Sequence, residues 1–251
     1  MLISITELIA QSWNNYLKTW RKFAPFLAVL LGILVVRYFL GFAGLYLNAY
    51  TKLSSLTVDL TLTLIFLALY LLGLWTTLSM IKISQDLHKN LPVPNFKDSY
   101  TSSSRYILPT ILISLLIGLI LILGSILFLI PGIIFFVWYY YATYAIIFEG
   151  QTNLDSLKTS KNLTLGRWFS MAFRIIIPKI VFFLLFVVLM FILPAIINKI
   201  FHPSVVKYDL IVEILNGILT ALTLPLFIWS DVLLYFSAKD HPLVVPAPTI
   251  K

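Results

Sequence analysis

Between Arg105 and Glu149 the chain carries no charged residue over positions 106–148, a run of 43. As one helix that run extends about 65 Å at 1.5 Å per residue, twice the roughly 30 Å hydrocarbon core of a bilayer. It must therefore fold back into two spans. Pro131-Gly132 marks the expected break. Proline disfavours helix at the preceding residue yet suits the first turn of a new helix, and glycine permits a tight reversal. The reversal is expected to be a shallow, uncharged hairpin tip.

Charge gaps place the remaining spans. Residues 23–50 form a first span interrupted by Arg37, and residues 60–81 lie uncharged between Asp59 and Lys82. Residues 180–198 lie between Lys179 and Lys199, and residues 214–230 between Glu213 and Asp231, in a helix expected from about Tyr208 to Ser237. The expectation is an all-α, polytopic membrane protein with six transmembrane helices in three hairpins. Composition agrees: 60% of residues are hydrophobic and 11% charged, against roughly 45–50% and 25% in soluble domains. The chain contains no cysteine, which excludes disulfides, thiolate nucleophiles and cysteine metal sites.

A net charge of +8 would suggest nucleic acid in a soluble protein. Here the basic residues read as topology determinants and lipid-phosphate contacts, with no nucleic-acid partner expected. Thirteen Lys and Arg fall in segments 1–22, 82–105, 149–174 and the tail, against three (Lys52, Lys199, Lys207) in the opposite loops. That imbalance places both termini in the cytoplasm of a plasma-membrane protein. No cleavable signal peptide is evident, so the first twenty or so residues are expected to be retained.

Residues 1–22 form an amphipathic unit ahead of the membrane domain, 23–238, and the tail, 239–251. Leu2, Ile5, Ile9, Trp13, Tyr16 and Trp20 recur at helical spacing, and Ser4 with Glu7 fits a capping box. This segment reads as an elbow lying in the headgroup plane, or as a helix packed on the cytoplasmic mouth of the bundle. A second elbow is expected over 153–168, capped by Asn153 and ended by Gly166. The stretch LPVPNFKDSYTSSSRY reads as a loop with one short helical turn. Lys18, Arg21, Lys22, Lys158, Lys161 and Arg167 are the candidate lipid-headgroup contacts on these segments. WRKF, SRYI and GRWF each precede a hairpin, which suggests three parallel repeats of elbow plus hairpin. The Pro-x-Asp/Glu-x-x-Lys/Arg signature of mitochondrial carriers is missing from every span.

The block IPGIIFFVWYYYATYAIIFEGQTNLDSLKTSKNLTLGRWF, residues 130–169, carries Pro131, Gly132, Glu149, Leu157, Ser160 and Gly166 in a distinctive order. It resembles the membrane domain of some glycerophosphodiester phosphodiesterases and its six-span bacterial relatives. The resemblance covers about forty residues closely and the six-span plan loosely. It implies a fold and a membrane location, not a reaction. No soluble stretch could hold the hydrolase barrel of about 250 residues that some relatives carry.

Polar residues inside the spans are the functional pointers, because a charge in hydrocarbon costs roughly 2.5–3.5 kcal/mol or more. On the last span Asp209, Glu213, Asn216, Thr220, Thr223 and Asp231 form a stripe beside Pro225, which is expected to kink the helix. The stripe reads either as helix packing or as the wall of a wet cavity. Arg37 has Glu213 and Asp59 as expected partners. Asp231 has Lys179 or Arg174, and a proton-coupled role is its sharper alternative. Tyr139, Tyr140 and Tyr141 read as packing and interfacial anchors. His88, His202 and His241 lie in separate loops or tails, so no metal site is expected. Neither a nucleophile–base pair nor a nucleotide loop is visible, and no cofactor is expected. The leading expectation is a non-enzymatic protein that binds membrane lipids or assists membrane organisation or transport. A small-solute or ion transporter using the last-span stripe is the first alternative, and an intramembrane lipid-acting enzyme the second.

Overall fold

The computed structural model describes residues 2–50, 55–127, 129–151, 153–201 and 205–242. Every regular element in them is helical: α1 (Ile5–Tyr50), α2 (Ser55–His88), α3 (Phe96–Ser104), α4 (Ile107–Leu127), α5 (Leu129–Tyr139), α6 (Ala142–Glu149), α7 (Asn153–Thr164), α8 (Trp168–Phe201) and α9 (Val205–Asp240). Six stretches among the described residues are long and apolar enough to cross a membrane. The protein is a polytopic helical membrane protein.

The 43-residue run is folded back as its length requires. α4 ends at Leu127 and α5 begins at Leu129, so Pro131 falls in the first turn of the new helix. Gly132 does other work than a tight reversal. A Cβ there would sit 2.4 Å from the Ser125 hydroxyl, and one at Gly124 would sit 2.8 Å from the Phe135 ring. Both glycines sit at the close approach of α4 and α5, which pack antiparallel with small residues at the seam.

α1 is 46 residues long and continuous through Pro25, about 69 Å. The expected elbow is its first turns, and it packs on the bundle rather than standing apart. Leu8, Ser12, Phe23 and Phe26 are fully buried along one face. Thr19 Oγ1 accepts from Trp229 Nε1 at 3.2 Å, and Arg174 Nε donates to the Ile3 carbonyl at 2.7 Å. Ser4 caps through the Glu7 amide at 3.2 Å, but the Glu7 carboxylate turns to Gln11 at 2.9 Å instead of closing the box.

The serine-rich stretch expected as a loop contains the nine-residue helix α3, capped by Asn95 Oδ1, which accepts from the Asp98 amide at 2.9 Å. Its buried face is hydroxylic, so an apolar count does not see it. Ser103 meets Ser79 at 2.6 Å, the Tyr100 hydroxyl meets Thr76 at 2.8 Å, and Trp75 Nε1 donates to the Tyr100 carbonyl at 2.8 Å. α7 repeats the device, with Ser156, Ser160 and Thr164 fully buried at intervals of four. Gly166, at φ 75°, then turns the chain into α8.

The Ile3 amide donates to Ser237 Oγ at 2.9 Å, so both ends of the described chain lie at one end of the bundle, here the terminal end. Most of the buried core gathers there, from Leu78–Ile83, Val137–Ile147, Met171–Ile175 and Ile228–Ala238. Farther along the helices, large apolar side chains such as Val35, Phe39, Leu64, Leu119, Phe183 and Phe191 are exposed. They suit hydrocarbon, where an exposed apolar side chain costs nothing.

Candidate functional site

Two polar levels occur along α9. The first surrounds Asp231, which is 4% exposed. Lys179 on α8 reaches it at 2.5 Å, and the Tyr140 and Tyr144 hydroxyls each donate to its Oδ2 at 2.8 Å. The Lys179 ammonium also lies 4.9 Å from the Tyr140 ring centroid. A buried carboxylate with one ion pair and two phenol donors is a satisfied group.

The geometry that aims both phenols depends on a break between α5 and α6. The chain leaves α5 after Tyr139, passes Tyr141 at φ −90° and ψ 6°, and resumes helix at Ala142. The break frees backbone groups that hydrocarbon cannot satisfy. Ser160 on α7 satisfies two of them: its hydroxyl accepts from the Tyr141 amide at 3.0 Å and donates to the Trp138 carbonyl at 2.7 Å. The tyrosines expected as packing and interfacial anchors are therefore partly the inner shell of Asp231. Tyr141 is fully buried, and its ring packs on Tyr140, Tyr144 and Tyr235. The Tyr235 hydroxyl donates to Glu149, which also pairs with Lys239 at 3.0 Å. Glu149, Ser160 and Gly166, singled out in the motif of residues 130–169, thus end α6, bridge its break and turn the chain beyond α7.

The second level is a groove of about 1050 Å³ between α1, α8 and α9. Leu31, Leu34, Val35, Phe39, Met190, Phe191, Pro194 and Ile218 supply apolar walls, and Arg37, Glu213, Asn216 and Thr220 supply polar groups. Arg37 and Glu213 do not form the expected ion pair. Neither has an ionic partner among the described residues. Leu34 meets Gly217, so the two lie at one height but both point into the groove. Asp59 is out of reach for a different reason. Ile33 meets Gly73 and Leu62 meets Gly44, which sets Asp59 about ten residues, or roughly 15 Å, beyond Arg37.

Toward Asp231 the stripe leaves the groove after Thr220. The Thr220 and Thr223 hydroxyls donate to the carbonyls of Asn216 and Thr220 on their own helix, at 2.7 and 2.9 Å. α9 continues through Pro225 without interruption. The side chain of Asp209 lies outside the described residues. Glu213 and Asp231 stand eighteen residues apart on α9, about 27 Å. That separation is close to the hydrocarbon thickness, so the two levels fit near its two boundaries.

The candidate headgroup contacts divide. Lys18, Arg21 and Lys22 are exposed beside the exposed Trp13, Leu17 and Trp20, an amphipathic rim suited to an interface. Lys158 is exposed and pairs with Asp155 at 3.2 Å, and Lys161 lies 4.4 Å from the Trp138 ring centroid. Arg167 is committed elsewhere. Its guanidinium donates to the carbonyls of Leu163 at 2.8 Å, and of Ala238 and His241 at 2.6 Å each. It closes the C-terminal end of α9. Arg174 likewise serves Ile3 and Ser170, which leaves Asp231 to Lys179.

Comparisons with family models, curated proteins and solved structures return no match. The class defined by fold and site is a polytopic membrane protein with a satisfied buried ion pair on its last span and an open amphipathic groove.

Proposed function

We propose that this protein is a non-enzymatic phospholipid-binding membrane protein, and that the groove between α1, α8 and α9 is the binding site. The observation that supports this is Arg37, a guanidinium without an ionic partner among the described residues, set in a mainly apolar wall at bilayer depth. A phosphate offsets the cost of that charge, and two planar N–H pairs fit its oxygens. The exposed Val35, Phe39, Phe191 and Ile214 at the rim leave acyl chains continuous with the bilayer. Positive residues at the terminal end favour a cytoplasmic placement for it, with the groove toward the opposite leaflet. Transport along the α9 stripe has weaker support. Leu226 and Ile228 are buried between the two polar levels, and the threonine hydroxyls are turned back onto their own helix. The resemblance to the membrane domain of glycerophosphodiester phosphodiesterases is compatible with lipid binding but does not specify it.

Native mass spectrometry of the purified protein tests the reading. Wild-type protein is expected to retain phospholipid, and Asn216→Trp, which fills the groove, to retain much less. Equal retention by both would remove the groove from the proposal.

A further inference from the structure

Resting on that reading, we infer that the groove selects phospholipids whose headgroup carries a primary ammonium. Arg37 takes the phosphate and Glu213 takes the ammonium. Arg37 alone would favour any phosphate-bearing lipid, and an anionic one most. Glu213 changes that preference. It lines the same groove at the same height as Arg37, is exposed to it, and has no basic partner among the described residues. A lipid whose only charge is its phosphate therefore leaves the carboxylate unpaired, whereas a zwitterion meets opposite charges at both ends.

The recognition is directional as well as electrostatic. An ionised carboxylate only accepts hydrogen bonds, and a primary ammonium brings three donors. A trimethylated ammonium brings none, so it keeps the charge and loses the hydrogen bonds. Asn216 stands one turn from Glu213 on the same wall and offers an amide to the ester oxygens between the two charges. The occupant is a lipid and not a free zwitterion, because most of the lining is aliphatic or aromatic and would gain nothing from a solute without chains.

The full-length protein in mixed micelles is offered three phospholipids with identical acyl chains and ethanolamine, choline or glycerol headgroups. Retained lipid is then read by native mass spectrometry. Wild-type protein is expected to keep the ethanolamine lipid over each of the others by roughly fivefold or more. Glu213→Gln is expected to lose the preference over the anionic glycerol lipid while still retaining phospholipid. If the wild type keeps all three equally, the headgroup assignment fails and the lipid groove stands. If it keeps no more lipid than Asn216→Trp, the groove itself fails. Glycerophosphoethanolamine, the same headgroup without chains, is expected not to displace the lipid. Displacement by it would show a solute site and overturn the assignment. The wild-type competition decides the matter even if Glu213→Gln does not fold.

Discussion

Replacing Asp231 by asparagine keeps the size of the side chain and one oxygen for Tyr140 and Tyr144, but removes the charge that faces Lys179. The ammonium is then left without a carboxylate partner where its side chain is only 24% exposed. Breaking a buried pair from one side costs about 3–5 kcal/mol, and the partial exposure of Lys179 argues for the lower end, about 3 kcal/mol. For a chain of this size that corresponds to a fall in Tm of about 6–12 °C, on the scaling for soluble proteins. Lys179→Met alone strands the carboxylate instead and is expected to cost at least as much, because Asp231 is the more deeply buried partner. The double variant Lys179→Met/Asp231→Asn leaves no unpaired charge and keeps an acceptor for both phenols. It is expected within about 1 kcal/mol of wild type. Thermal unfolding of the four proteins in one detergent gives the cycle. Additive losses in the double variant, or a loss below about 1 kcal/mol for Asp231→Asn, would refute the description of Lys179 and Asp231 as a mutually satisfying buried pair.

Three further outcomes follow from particular contacts. Ser160→Ala removes the partner of the Tyr141 amide and the Trp138 carbonyl at the α5–α6 break; thermal unfolding should show a loss of about 2 kcal/mol, whereas the same change at the partly exposed Ser102 should stay within about 0.5. Gly132→Ala sets a methyl against the Ser125 hydroxyl; a loss of about 1–3 kcal/mol is expected, and Ser125→Ala in the same chain should recover most of it, which an unrelated folding defect would not. Arg167→Lys cannot reproduce three carbonyl bonds; amide hydrogen exchange at residues 238–241 should accelerate roughly tenfold, while lipid retention in the groove is unchanged.

The number of spans was legible in the residues because hydrocarbon acts on each helix separately. An uncharged run of 43 residues cannot remain one helix in a layer of about 30 Å, whatever its neighbours do. Charge gaps work in the same way and locate α2, α8 and α9, although α2 runs on to His88 and α8 begins at Trp168, past the charges that bound their gaps. The small polar faces of α3 and α7 were harder to read. Serine at intervals of four looks like a loop to an apolar count, and it becomes a packing surface only when another helix stands close enough to share the hydroxyls.

What one helix presents to another was not in the linear pattern, because it depends on register and rotation between elements distant in sequence. Depth alone suggested partners for Arg37 and for Asp231 with equal force. Register then put Asp59 about 15 Å too far out, rotation turned Arg37 and Glu213 into a shared groove, and Lys179 alone of the two suggested cations met Asp231. The three consecutive tyrosines show the same limit. Sequence identified their bulk and their amphipathic character, but only the break at Tyr141, held open by a serine nineteen residues later, aims Tyr140 at a buried carboxylate. The solvent determined the spans one helix at a time; packing determined which polar groups face each other, since a hydrogen bond or ion pair requires both partners within about 3 Å.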